Sequence, residues 1–380
     1  MRAELSDQVA IVGVGSTAFG DLYRNPDPER TAMDLGTEAL RHALADAGIA
    51  KKDVDGLITS RVPHYGRMAV RLGLNNLRFV NQLEGGGRAS AIAVQWAMLL
   101  ISSGMAETVA LVYGNDGRSA AMKYGGEDEG EAAQYENVYG ITSPGAAVGL
   151  AWRRYRHVYG APDDALAPVA INNRKNGALN PNAVMRRAIT HEEYVNSRYI
   201  TEPLRLLDYC LINDGGVALI LTSAARARDL AKPPVLLTAT AQATDLHQEY
   251  AGHDFFQTAC RQVAARLYQT AGLGPRDIDV AEIYDNFTPV VLWSLEGFGF
   301  APAGESWQWA KDGRIELGGE LPVNTCGGHT AESYMQGWAL HVEAVRQLRH
   351  EAGERQVANA QVAQYICAAP IICSHILRRG

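Results

Sequence analysis

Cysteine is scarce in this chain: there are five in 380 residues, with no close Cys-x-x-Cys pair. That spacing excludes a disulfide framework and a zinc site, and it fits a reducing compartment. No apolar run approaches the roughly 20 residues that span a bilayer, and the polar start Met1 to Asp7 lacks the features of a signal peptide. The chain is therefore expected in the cytoplasm. There is no run of lysines or arginines either. With 35 Lys+Arg against 42 Asp+Glu the net charge is −7, which argues against nucleic acid as a partner. Glycine is what abounds: 38 residues, one in ten against a usual ~7%, so many positions call for tight turns or close backbone approach. A chain of this length is expected to form two or three packed units.

A segment recurs. Ala47-Gly-Ile-Ala-Lys-Lys-Asp-Val-Asp55 returns as Ala271-Gly-Leu-Gly-Pro-Arg-Asp-Ile-Asp279, offset by 224 positions. Each copy follows an amphipathic helical stretch (32–46 and 256–270) and precedes a short strand-like run. Gly48 and Gly272 stand where a helix C-cap needs a left-handed residue. A second matching pair, Val80-Asn-Gln-Leu-Glu-Gly-Gly86 and Val323-Asn-Thr-Cys-Gly-Gly328, reads each time as strand, glycine turn and helix. Two pairs in the same order imply two related α/β halves. The stretch 115–210 matches nothing in the second half. It includes acidic Glu127-Asp-Glu-Gly-Glu131 and an Arg/Tyr-rich helix around Trp152–Tyr159, and it reads as an insertion of the kind that covers a site. Lys232-Pro-Pro234 is the junction between the halves. Gly13-Val-Gly15 lacks the third glycine of a dinucleotide fingerprint, so no nicotinamide site is expected.

Asn213-Asp-Gly-Gly-Val-Ala218, Glu282-Ile-Tyr-Asp-Asn-Phe287 and Val323-Asn-Thr-Cys-Gly-Gly328, in this order on duplicated halves, resemble the thiolase superfamily and its sterol-carrier-protein-type branch. The resemblance implies an α/β thiolase fold: two βαβαβαββ halves in five α-β-α-β-α layers, with an inserted loop domain. Residues 1–231 would form the N-terminal half, with the loop domain at about 115–210, and residues 232–380 the C-terminal half.

Three positions depart from the family. Glu84 stands where a thiolase carries its nucleophilic cysteine, a thiolate favoured at a helix N-terminus. Tyr284 replaces the His or Asn that helps bind the thioester oxygen. Tyr334, in Ser333-Tyr334-Met335, replaces the histidine that activates the nucleophile. The tyrosine pair is similar to that of the lipid-transfer-protein-like aldolases of steroid side-chain degradation, which lack the cysteine. That likeness implies retro-aldol cleavage of a bulky β-hydroxyacyl-CoA to a ketone or aldehyde and a short acyl-CoA, acetyl- or propionyl-CoA. It also implies a homodimer and a hetero-complex with a small OB-fold/zinc-ribbon protein, in some cases with an enoyl-CoA hydratase. Zinc would belong to that partner; this chain is expected to hold no cofactor, coenzyme A being part of the substrate. Two alternatives stay open: a thiolase-like acyltransferase, and a non-catalytic lipid- or acyl-CoA-binding subunit.

Retro-aldol cleavage removes a hydroxyl proton, breaks Cα–Cβ, holds an enolate and protonates Cα, with no acyl-enzyme. Tyrosine, with a pKa near ~10, needs neighbouring donors to act as a base, but serves as a donor without help. Tyr334 is assigned to the hydroxyl and Tyr284 as the acid or its relay. Glu84, Asp285, Cys326, His329 and Cys367 are further catalytic or pocket candidates, and Gly85, Gly86, Gly327 and Gly328 form the substrate or oxyanion turns. Each has a plainer reading: Glu84 as a cap facing a helix dipole, Cys326 as a small buried residue, His329 and His375 as structural histidines. Arg153, Arg154, Arg156, Arg186 and Arg187 are candidates for CoA phosphates, or else a solvated face. No metal ligand set is present.

Overall fold

A computed structural model describes residues 3–84, 87–122, 137–245 and 254–380; Gly85, Gly86 and the acidic stretch 127–131 lie outside the described residues. The first half runs β1 (Val9–Ser16), a helix (Ala32–Ala47), β2 (Gly56–Ser60), a short helix (Tyr65–Leu72), β3 (Phe79–Gln82), a helix (Arg88–Ser102) and β4 (Thr108–Asn115). The insertion follows, with helices Pro144–Tyr159 and Ala167–Leu179 and the small hairpin β5 (Tyr199–Thr201) and β6 (Leu204–Arg205), before β7 (Gly215–Ser223) closes the half. The second half repeats the plan with β8 (Val235–Thr244), helix Gln257–Ala271, β9 (Val280–Ile283), helix Trp338–Arg349, β10 (Val362–Cys367) and β11 (Ile371–Arg379). Lys232-Pro-Pro234 lies immediately before β8.

The strands follow the order β3-β2-β4-β7-β1-β8-β11-β10-β9, each half mirroring the other about the β1–β8 contact. That contact is brief, pairing only Ala10 with Leu236 and Ile11 with Val235. Helix Ala32–Ala47 covers β1, β4 and β7 from outside, and helix Gln257–Ala271 covers β8 and β11. Helices Arg88–Ser102 and Trp338–Arg349 pack against strands of both halves. Both kinds of helix pack on one nine-stranded sheet among the described residues.

The repeat extends to side-chain chemistry. Gly48 and Gly272 cap their helices at φ +65° and +64°. The Asp55 carboxylate accepts the N–H groups of Glu107 and Thr108 at the start of β4 (2.9 and 2.8 Å). Its counterpart Asp279 accepts those of Gln361 and Val362 at the start of β10 (2.8 and 2.9 Å). One carboxylate thus sets the register of the neighbouring parallel strand in each half.

The halves diverge at the second glycine turn. Where β3 stands in the first half, the second has a single bridge, Ala281 to Val323. Asn324 turns left-handed (φ +50°), ending the would-be strand after one residue and bending the chain into the turn. Helix Trp338–Arg349, which follows that turn, is buried along nearly its whole length. Its polar residues point inward to partners: Glu343 to Arg355 (3.0 Å) and Arg349 to Asp46 (2.7 Å).

Candidate active site

Tyr284 follows β9 directly, and its N–H still donates to Ile366 O of β10 at 2.7 Å, so its phenol leaves the carboxyl end of the sheet. It is buried, at 2% exposure. Tyr334 lies half-buried in the turn between the single-turn helix Gly328–Ala331 and helix Trp338–Arg349. Asn213 clamps that turn: its Oδ1 accepts the Tyr334 N–H (3.0 Å), its Nδ2 donates to Ser333 Oγ (2.6 Å), and its carbonyl accepts from Asn115 Nδ2 (2.7 Å). The two phenol oxygens end 2.9 Å apart, a hydrogen bond between residues 50 positions apart in sequence. The tyrosines that depart from the family pattern therefore meet.

The glycines make room for this couple. A Cβ on Gly87 would lie 2.0 Å from Tyr284 Cζ and 2.3 Å from its hydroxyl. Gly328 sits at φ +61°, and a Cβ there would lie 2.3 Å from Asp285 Oδ2. The oxyanion role expected of the second turn does not fit its geometry. Gly327 N–H donates to Asn324 O (2.8 Å) and Gly328 N–H points at Cys326 Sγ (3.4 Å), so neither donor faces a substrate. These two glycines allow close approach instead.

Behind the tyrosines, Asp285 and His329 are wholly buried, with His329 Nδ1 3.1 Å from Asp285 Oδ1, close but outside hydrogen-bond alignment. Asp285 accepts the His329 N–H (2.8 Å) and Asn173 Nδ2 (2.7 Å). Asn173 belongs to a ladder on the inserted helix Ala167–Leu179 that sequence reasoning missed. Asn172 donates to Val323 O (2.9 Å), Asn176 to Asn324 O (3.1 Å), and Asn180, just past the helix, to Cys326 O and the Glu332 carboxylate (both 2.9 Å). The insertion thus satisfies the buried carbonyls of the glycine turn as well as covering it. The signal was legible as asparagines at spacings of three and four, one face of a helix.

Three of the five cysteines pack near Tyr284, and none is activated. Cys326 and Cys367 share an apolar cluster with Tyr284, Tyr365 and Cys373, and Cys367 faces Cys373 across the β10–β11 hairpin. Burial raises the thiol pKa of all five cysteines, that of Cys373 to about 12. Around Cys326 the effect is reinforced by Glu332, Glu282 and Glu343. Burial and their mutual repulsion hold Glu282 well above the ordinary carboxyl range and push Glu332 up to about 7. Glu343 is paired with Arg355 at 3.0–3.1 Å.

Glu84 is exposed, and its carboxylate accepts the Arg61 N–H (3.0 Å) and Gln82 Nε2 (2.9 Å). The hydrogen bonds of this carboxylate tie it to a neighbouring loop rather than to the phenols. Tyr365 was also missed: fully buried, it bonds Ser90 Oγ (3.1 Å) beneath Gly87 and stacks on His341 at 3.9 Å. His375 lies against the same stack and bonds Thr240 (2.8 Å), a structural role. Of the arginines, Arg156 pairs with Asp163 and Arg187 with Glu193, while Arg186 lines a crevice of about 670 Å³ that also includes Asn180 and Arg346. Arg153 and Arg154 are exposed. No group of three metal-ligating side chains occurs among the described residues, and no helix is long and apolar enough to cross a membrane.

Comparison with known proteins follows the same lines. The chain is 38% identical over 363 residues to the 17-hydroxy-3-oxo-4-pregnene-20-carboxyl-CoA lyase of Mycobacterium tuberculosis, covering 91% of this chain and 92% of that one. It is 38% identical over 362 residues to a steroid side-chain-cleaving aldolase of Thermomonospora curvata, covering 91% of each. The solved Ltp2-ChsH2(DUF35) aldolase superposes with a TM-score of 0.90 at 35% identity, over 99% of this chain and 98% of that one. The thiolase N-terminal domain model matches residues 9–225, and the thiolase C-terminal domain-like model residues 241–376. Matched across both halves, the chain belongs to the thiolase family.

Proposed function

We propose that this protein is an aldolase, a carbon–carbon lyase that cleaves a β-hydroxyacyl-CoA by a retro-aldol reaction. The observation that carries the proposal is the phenol couple, Tyr284 to Tyr334 at 2.9 Å, in a thiolase framework whose five cysteines all have their thiol pKa raised. Tyr334, the less buried of the two, takes the β-hydroxyl proton as the Cα–Cβ pair moves into the thioester and the β-carbon becomes a carbonyl. Tyr284, hydrogen-bonded to it, stabilises the reactive phenolate and relays the proton, which returns to Cα of the short acyl-CoA. Proton and electron pair balance within the substrate, so no step calls on a cofactor beyond the coenzyme A that the substrate carries. A phenolate is disfavoured near neutral pH, its pKa being about 10 unaided; a charge-assisted hydrogen bond from a second phenol supplies the help.

The names of the two 38%-identical relatives support a steroid or similarly bulky acyl group as the substrate; the short product we propose is acetyl- or propionyl-CoA. The match to an Ltp2-ChsH2(DUF35) aldolase supports a complex with a partner subunit; we propose that this partner is a small OB-fold/zinc-ribbon protein, which would carry any zinc, with a hydratase as a further associate. A homodimer through β3 is supported by its position at the sheet edge and by exposed Trp96, Leu99 and Met105 near it. Incubation of the chain, with and without the partner subunit, with a β-hydroxyacyl-CoA of branched side chain should yield ketone and shorter acyl-CoA in equal amounts without added coenzyme A. Cleavage that requires free coenzyme A, or an acyl adduct on Glu84 or a cysteine, would point to acyl transfer instead.

A further inference from the structure

The two phenols are carried by separate segments, and one side chain joins them. Tyr284 is followed by Asp285; Tyr334 stands three residues before Gly337. His329 reaches both: its Nε2 accepts the Gly337 N–H at 3.0 Å, and its Nδ1 lies 3.1 Å from Asp285 Oδ1. Its ring also meets both phenol rings at steep angles, with centroids 4.7 Å from Tyr284 and 5.2 Å from Tyr334.

These contacts determine the proton on the ring. Because Nε2 faces a backbone N–H, it carries the lone pair, and a ring proton sits on Nδ1, on the Asp285 side but out of hydrogen-bond alignment. The Gly337 segment is held in place: Gly337 sits at φ +84° with the Tyr365 hydroxyl 2.2 Å and Ser90 Oγ 2.8 Å from where a Cβ would be. The ionisable groups around the ring are Asp285 after β9, Tyr284 beside it and Tyr334 on the turn, with the Cys210 thiol close enough to sense Asp285.

From this arrangement we infer that His329 is a positioning residue: a strut between the Asp285 and Gly337 segments that sets the separation of the phenol oxygens. It is assigned no proton transfer, since its Nε2 is taken by the Gly337 N–H. The reasoning rests on the tyrosine couple being the reactive pair. A hydrogen bond of 2.9 Å weakens steeply with a few tenths of an ångström of added length. Loss of the strut therefore removes the stabilisation of the phenolate before it disturbs substrate binding.

The test compares H329F, H329Q and H329N in the complete enzyme, with Y334F as the control. H329F keeps a ring but neither polar contact, and its kcat should fall about 30-fold or more with KM within about threefold. The acid limb of its kcat profile should move to higher pH as the phenolate loses its donor. H329Q, whose amide oxygen can accept the Gly337 N–H, should recover part of kcat; H329N, which can face only Asp285, should recover less. A folded H329F with wild-type kcat and pH profile overturns the strut, as does a variant that changes KM alone. If Y334F itself stays active, the tyrosine reading fails separately. Nitrogen-15 histidine spectra of the wild-type protein test the strut independently of every variant. His329 should hold the Nδ1–H tautomer, its Nε2 accepting from Gly337, and a ring protonated at Nε2 overturns the inference.

Discussion

Replacing Gly87 by alanine tests the phenol couple from the far side of the site. The added Cβ would lie 2.0 Å from Tyr284 Cζ, where a carbon–carbon contact needs about 3.5 Å, so the ring must retreat by about 1.5 Å. That displacement exceeds what the 2.9 Å phenol–phenol hydrogen bond tolerates. The ring has little room to yield, with His329 packed on one side and the Cys326, Cys367 and Leu340 cluster around it. The backbone is not at issue: Gly87, the N-cap of helix Arg88–Ser102, sits at φ −61° and ψ −24°, which alanine adopts freely. The overpacking cost is ~1–3 kcal/mol. Stability should therefore fall by about 1–3 kcal/mol, while misplacing a reacting group by more than an ångström should lower kcat by about 100-fold. Turnover by product chromatography and melting by calorimetry separate the two effects. A folded G87A enzyme with wild-type turnover would refute the proposed dependence of catalysis on this ring position.

Three further outcomes follow from the same contacts. Glu332 has its pKa raised from 4.5 to about 7 by burial and by Glu343. Its stabilising contribution is complete below pH 4.5 and is lost as pH rises through 7, so denaturant titrations of E332Q should gain about 3 kcal/mol on wild type between those limits; a constant difference would contradict the assignment. Burial lowers His341 from 6.5 to about 4, which has the opposite sign: stability present above pH 6.5 is lost as pH falls through 4, and H341N should flatten that acid limb. For the proposed homodimer, L99E with M105E, two exposed positions of the first half, should shift sedimentation from dimer to monomer, and an unchanged dimer would place the interface elsewhere.

Much of the framework was readable because it is duplicated. The helix caps at Gly48 and Gly272 and the carboxylates Asp55 and Asp279 recur at one offset and do the same work in each half. Tyr284 and Tyr334 were legible as substitutions within known motifs; their 2.9 Å contact was not, since it depends on how β9 and the Asn213-clamped turn approach. The Asn172–Asn180 ladder escaped notice because asparagine in an inserted segment resembles ordinary surface polarity, and only docking against Val323 to Cys326 turns it inward. Glycine proved ambiguous for a similar reason. Gly327 and Gly328 read as an anion-binding turn, but their N–H groups close on Asn324 and Cys326, and what the site needs from them is the absence of a Cβ.

The central claim is that a pair of tyrosines carries out retro-aldol cleavage in a framework where thiolases use cysteine and histidine for acyl transfer. Its most direct test is the single-turnover rate of β-hydroxyacyl-CoA cleavage by Y334F, measured with the partner subunit present and with the fold checked by melting. Removing the hydroxyl that takes the proton should slow cleavage by about 1000-fold or more while the substrate still binds. Cleavage by folded Y334F within a few fold of wild type would contradict it.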